Sequence, residues 1–334
     1  MSEKRRLLLT GASGFIGSFL LDEALSRNYD VYVAVRPTTR LEKFKGKNIQ
    51  IVTMNFSDSN DVRHKLSSLP PLDYVVHNAG ATKPLHKKEF HEVNCENTRR
   101  LLTALTVVGK IPRKFLFMSS LAAYGPAPDG IATKVTNQMT PKPLTQYGES
   151  KLAAEQFIMN QQEVPFLILR PTAVYGPGDE DFFKTIYLNN KGIDFRIGRH
   201  PQKLTFVYVK DLARLVFDAL ESPVVNKAYF VADGNVYGKA DFGMIVAKHL
   251  HKKMIAITIP VWLAKLVAMF SETWAVLTRK PTILYVEKIN ELAAASWDCD
   301  IEPLKKELQF EAKYTLEKGL AETIEWCKKE GWLK

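Results

Sequence analysis

Cysteine is scarce in this chain: Cys95, Cys299 and Cys327 are the only three in 334 residues. An odd number without metal-ligand spacing argues against a disulfide framework or a bound metal, and fits free thiols in a reducing compartment. Long apolar runs are also missing. The most apolar stretch, 255–270, has sixteen residues interrupted by Lys265, short of the about 20 needed to cross a bilayer. No internal repeat or low-complexity tract occurs. Lysine and arginine outnumber the acids, 46 to 36, for a net charge of +10. These residues are scattered, without a long basic run or interleaved aromatics, so no nucleic-acid partner is expected. The charge reads as a solvated surface that helps attract an anionic ligand. Lys4-Arg5-Arg6 and the apolar run after it imitate a secretory leader. A glycine turn breaks that run and no small-residue cleavage site follows, so the expected localisation is cytoplasmic.

What is present begins with Thr10-Gly11-Ala12-Ser13-Gly14-Phe15-Ile16-Gly17. A short apolar strand, 6–9, precedes it. Phe19, Leu20, Leu21, Ala24 and Leu25 follow at helical spacing. In such a strand–turn–helix, Gly11 supplies backbone freedom, Gly14 lets a pyrophosphate approach, and Gly17 lets helix and strand pack closely. The helix N-terminus then offers N–H groups and a positive dipole end to phosphate. The glycines are spaced three and three rather than the commoner two then three.

Further strands are expected at 31–35, 49–54, 72–76, 115–118 and 166–169, with helices at 94–108 and 147–159 between the later ones. Asp58 and Asp61 start another helix. This alternation implies an α/β chain with a doubly wound parallel sheet. Beyond Arg170 the rhythm loosens: strands near 205–209 and 228–231, a helix at 212–220, and mostly helix from about 240. We divide the chain into a dinucleotide-binding domain, 1–170, and a region, 171–334, that completes the sheet and forms a smaller, mainly helical substrate lobe. The second strand ends at Arg36, where folds preferring NAD usually carry an acid. A guanidinium there suits a 2′-phosphate. NADP is therefore the preferred cofactor, with NAD as the alternative and a merely stacking arginine as the plain reading.

Tyr147 and Lys151 stand at i and i+4 on one helix face. A free phenol has a pKa near 10, too high for proton transfer near neutrality. A nearby cation lowers it. Ser119 and Ser120 follow the fifth strand, where a hydroxyl can polarise a substrate oxygen while the tyrosine moves the proton. Each feature alone is ordinary. Their order is not: glycine turn, Asn78-Ala79-Gly80, Ser119-Ser120, then Tyr147-x-x-x-Lys151.

That order resembles the extended short-chain dehydrogenase/reductase superfamily, in its NAD-dependent epimerase/dehydratase branch, from Leu8 to the C-terminus. The segments 117–125, 169–178 and 206–213 match its serine strand, its Arg-Pro stretch and its later strand-to-helix join. The resemblance implies a Rossmann-type fold. It implies Tyr147 as acid/base, Lys151 as the group that holds the nicotinamide ribose and lowers the phenol's pKa, and Ser120 as the polarising hydroxyl. Cofactor contacts are then expected from Gly11, Ser13, Gly14, Phe15, Ile16, Gly17, Arg36, Asn55, Phe56, Asn78, Ala79, Gly80, Asn94, Tyr147, Lys151, Pro171, Thr172 and Val174. Asn94 reads as structural or water-holding rather than chemical. Substrate contacts are expected from Thr82, Ser120, Tyr175 and Phe182. Asn55, where many relatives have aspartate, and Asn97, where many have glycine, are departures. Pairing as a homodimer through the Asn94 and Tyr147 helices is also implied.

The C-terminal half is similar to the endings of 3-beta-hydroxysteroid dehydrogenase-like, dihydroflavonol reductase-like and sugar-nucleotide epimerase-like enzymes. The expected function is hydride transfer between a nicotinamide and a secondary alcohol or ketone carbon of a small molecule. The alternatives are a sugar-nucleotide epimerase or dehydratase and a non-catalytic NADP-binding sensor. Lys184, Arg196, Arg199 and Lys203 could hold a second diphosphate, whereas Phe182, Phe183, Tyr187 and Phe195 could line an apolar pocket. The stretch 255–270 reads first as a buried helix. Its sharper readings are a wall for a greasy substrate or a peripheral membrane contact.

Overall fold

A computed structural model describes residues 4–82, 88–278 and 285–333. Six short apolar segments form parallel strands β1 (Arg6–Thr10), β2 (Asp30–Val35), β3 (Gln50–Thr53), β4 (Tyr74–His77), β5 (Lys114–Met118) and β6 (Phe166–Pro171). A seventh, β11 (Lys227–Val231), joins β6 at the edge, giving the order β11-β6-β5-β4-β1-β2-β3. The central strands are buried along nearly their whole length, as strands covered on both faces must be. The sheet reverses its order beside β1 and β4, where open α/β sheets bind ligands at the carboxyl ends of their strands.

Helices cover both faces. One layer holds α1 (Phe15–Ser26) and α7 (Val209–Glu221). The other holds α2 (Ser59–Ser68), α4 (Asn97–Val107) and α5 (Gln146–Met159). Local chemistry starts these helices. Asp58 accepts from the N–H groups of Asn60 and Asp61, and Thr145 from that of Gly148, satisfying amides that the first turn leaves unpaired. A short α3 (Lys88–His91) runs through a π-helical turn, Glu92–Glu96, into α4, so the expected helix at 94–108 begins in a π segment.

A second core is aromatic. Tyr175, on β7 (Ala173–Tyr175), packs with Phe206 and Tyr208 of β10 (Phe206–Tyr208). It is closed by α6 (Glu180–Asn190), α8 (Asp241–Leu250) and α12 (Leu316–Lys329). The small strands β9 (Lys203–Leu204) and β12 (Tyr237–Gly238) pair beside it.

The stretch 255–270 departs from the single buried helix expected of it. It forms β13 (Ile255–Ile259), which pairs in parallel with β8 (Ile193–Ile197), and then enters α9 (Val261–Thr278). Much of it is exposed. α10 (Val286–Ala293) and α11 (Glu302–Leu308) follow. Among the described residues no helix is long and apolar enough to cross a membrane. All three cysteines are free and buried.

Candidate active site

The glycine turn is built as a phosphate cradle. Gly11 adopts a left-handed φ of 73°. A Cβ on Gly17 would lie 2.0 Å from the Gly11 carbonyl oxygen, whereas one on Gly14 would meet only that oxygen, at 3.4 Å. Gly17 is thus required by packing, and Gly14 faces open space. No side chain caps α1 at Gly14, so its first N–H groups remain available to an anion, with Phe15 and Ile16 in that first turn. Ser13 stands in the same turn, its carbonyl accepting from Lys43.

The ends of β1 and β4 are locked together. His77 is buried, with Nδ1 2.8 Å from Thr10 Oγ1 and Nε2 2.9 Å from Thr98 Oγ1. Burial, with Lys151 nearby, pushes its pKa down to about 3, so the ring stays neutral. Thr10 Oγ1 also accepts from the Ala79 amide, and Asn78 donates to the Gly11 carbonyl. The small residues Asn78, Ala79 and Gly80 thereby border the glycine turn.

Asn94 is buried in the π turn. Its Oδ1 accepts from Ala81 N at 2.7 Å, and its Nδ2 donates to Ala81 O and Ser150 Oγ. These bonds fix the chain beyond β4. Thr82 follows, exposed.

β5 and α5 bring the expected catalytic groups together. A Cβ on Gly148 would sit 2.3 Å from the Ala122 carbonyl oxygen, so glycine lets the start of α5 close on the turn after Ser120. The Ser120 hydroxyl lies on the phenol's side of the site and opposes the rise in the Tyr147 pKa. Burial still pushes that phenol up to about 12, and Glu291 adds to the rise. Lys151 is buried; its Nζ donates to Met118 O at 2.8 Å and lies 4.7 Å over the Phe117 ring. Burial lowers its pKa to about 8, against a raising influence from Glu155. In the free chain the Lys151 ammonium is turned toward the end of β5.

Two residues that sequence reasoning gave no role stand behind this set. Glu155, one turn beyond Lys151, accepts from Ser119 Oγ and pairs with buried Arg170. Ser119 is thus occupied by Glu155, leaving Ser120 as the hydroxyl beside Tyr147. The spacing Tyr147, Lys151, Glu155 was a readable signal for Glu155. Arg170 had none.

Other expected contacts separate. Arg36 lies exposed at the end of β2 and Asn55 is exposed after β3. Phe56 is buried in the α2–α4 layer. Pro171 ends β6, Thr172 bonds Thr205, and Val174 lies on β7. Tyr175 is buried in the aromatic core, with Phe182 partly buried against it, and the Tyr175 hydroxyl donates to Thr315 O. Of the diphosphate candidates, Arg196 is tied to buried Asp194 at 2.6 Å and Lys184 faces Asp181 at 3.6 Å. His91, Cys95 and Glu96 bring their donor atoms within 4.8 Å of one another. Burial raises the pKa of the Cys95 thiol.

A sheet reversal, a phosphate-ready glycine turn and a Ser–Tyr–Lys set at the strand ends define a nicotinamide-dependent α/β enzyme. The model of the NAD-dependent epimerase/dehydratase family matches residues 7–232, and the chain belongs to that family. UDP-glucose 4-epimerase of Vibrio cholerae is 27% identical over 96% of this chain and 95% of its own length. Ceramide reductase of Caulobacter vibrioides is 24% identical over 97% of this chain and 95% of its own length. In fold, the chain is similar to Bordetella bronchiseptica WbmG, solved with NAD and UDP. That likeness has a TM-score of 0.79 and 19% identity, covering 98% of this chain and 96% of WbmG.

Proposed function

We propose that this chain is an NAD(P)-dependent oxidoreductase that interconverts a secondary alcohol and a ketone. The observation that carries this reading is the meeting of Ser120, after β5, with Tyr147 and the buried Lys151 of α5, whose Nζ donates to Met118 O at the end of β5. A bound nicotinamide dinucleotide supplies or accepts the hydride. The glycine turn and the first N–H groups of α1 hold its phosphates, with Gly11, Ser13, Gly14, Phe15, Ile16 and Gly17 in contact. Asn78, Ala79, Gly80, Pro171, Thr172 and Val174 border the nicotinamide side. Ser120 donates to the substrate oxygen. Tyr147, protonated in the free chain because its pKa lies near 12, delivers the proton when a ketone is reduced and takes it back in oxidation. Lys151 keeps a cation beside that proton path. Thr82, exposed near the cleft, is a candidate substrate contact.

Arg36 supports NADP, because a guanidinium rather than an acid ends β2. The similarity to ceramide reductase agrees with net reduction. The similarity to UDP-glucose 4-epimerase favours a second reading, epimerisation with a retained NAD. The ties of Arg196 to Asp194 and of Lys184 to Asp181 weigh against a second diphosphate site.

The deciding experiment identifies the cofactor released from purified, denatured protein and then titrates NAD(H) and NADP(H). An exchangeable site preferring NADPH, with the preference lost in Arg36→Ala, supports the redox reading. Stoichiometric, tightly retained NAD overturns it in favour of epimerisation.

A further inference from the structure

α9 is amphipathic in the reverse sense. Its buried side carries small residues, Ala264, Ala268 and Ala275. Its large apolar side chains point outward: Trp262, Phe270, Trp274 and Leu277 are 67%, 70%, 68% and 73% exposed, and Leu266 and Met269 lie with them. Folding alone does not explain this, since helices in water bury their large apolar side. The patch continues onto the neighbouring sheet, where Ile255 and Ile257 of β13 are exposed beside Phe195 of β8, paired with Ile257.

The charges around it are mostly basic, with Glu272 of α9 tied to Val286 N and Asp194 of β8 tied to Arg196. From 248 to 271 the sequence holds Lys248, Lys252, Lys253 and Lys265 and no acid; from 195 to 205 it holds Arg196, Arg199 and Lys203 and no acid. Among the described residues Lys252, Lys253 and Lys265 have no carboxylate partner. A second copy of the chain fits this face poorly. A two-fold interface would bring this mostly basic rim against itself. A bilayer with anionic headgroups fits both features: the apolar side chains enter the acyl boundary, the tryptophans lie at headgroup depth, and the lysines meet phosphates.

We infer that α9 and the outer face of β8 and β13 dock this protein on an anionic membrane surface, with α9 lying in the plane of the interface. The docked face adjoins the cleft. Glu272 of α9 accepts from Val286 N at 2.8 Å, and Glu287 accepts from Gln146 N, at the start of α5, at 2.9 Å.

The test is co-sedimentation of the full chain with phosphatidylcholine vesicles, with and without phosphatidylserine. The variant is Phe270→Glu/Trp274→Glu, whose exposed positions leave the core intact. Wild type should sediment with the anionic vesicles and be weakened by salt. The variant's partition should fall about tenfold or more, while its nicotinamide-cofactor titration stays unchanged. Wild type remaining in the supernatant, equal binding to neutral vesicles, or undiminished binding by the variant would overturn the inference. So would light scattering showing a wild-type oligomer that the variant dissociates, because the occupant would then be a second copy. None of these readouts uses turnover, so they stand or fall apart from the redox reading.

Discussion

The guanidinium of Arg170 meets the carboxylate of Glu155 in the protein interior, with Nη2 2.6 Å and Nε 2.9 Å from Oε2. Each side chain is 1% exposed. Arg170 also donates to Asn137 and lies 4.3 Å under the Tyr124 ring. Glu155 shares α5 with Tyr147 and Lys151, and Arg170 ends β6, so the pair clamps the candidate catalytic helix to the sheet.

Removing one partner leaves an uncompensated buried charge. Glu155→Gln should therefore lower stability by about 3–5 kcal/mol, read as a lower denaturant midpoint. Loss of the carboxylate that raises the Lys151 pKa should also move that lysine further below about 8. Stability unchanged by the substitution would show that the clamp is not needed.

The face shared by Tyr147, Lys151 and Glu155 was legible, because a four-residue spacing on a helix needs no tertiary information. What opposes it was not. Arg170 draws its partners from α5 and from the loop at Asn137, and nothing in a strand-end arginine announces burial. The placement of Tyr175 and Phe182 was illegible for a related reason: aromatic spacing says that residues will cluster, not which of two cores receives them. The stretch 255–270 was apolar enough to suggest a core helix, yet Ile255–Ile259 found an edge strand to pair with and α9 turned its alanines inward. The sheet was easier, since six apolar runs separated by helical patterns admit few alternatives.

The last two glycines of the cofactor turn should separate by phenotype. Gly17→Ala forces a Cβ to 2.0 Å from a backbone oxygen and should cost about 1–3 kcal/mol together with cofactor binding. Gly14→Ala, which meets only one contact at 3.4 Å, should fold normally and weaken cofactor binding alone. Thermal unfolding and cofactor titration read the two effects. Equal destabilisation by both would contradict the assigned geometry.

His77 should make stability acid-sensitive. Its folded pKa, near 3, lies below its ordinary value of 6.5. Between these values the unfolded chain binds the extra proton, so this contribution is complete above pH 6.5 and is lost as pH falls toward 3. The slope is at most about 1.4 kcal/mol per pH unit. His77→Gln should flatten that part of the stability profile. A wild-type profile no steeper than the variant's would show that His77 is protonated in the fold.

The proton role of Tyr147 is tested most directly by comparing wild type and Tyr147→Phe in two assays, nicotinamide oxidation over a panel of ketones and cofactor titration. The account predicts that turnover falls by about a hundredfold or more while cofactor affinity stays close to wild type, because the phenol moves a proton and does not hold the dinucleotide's phosphates. Turnover retained by the phenylalanine variant would contradict it and return Tyr147 to the packing of α5.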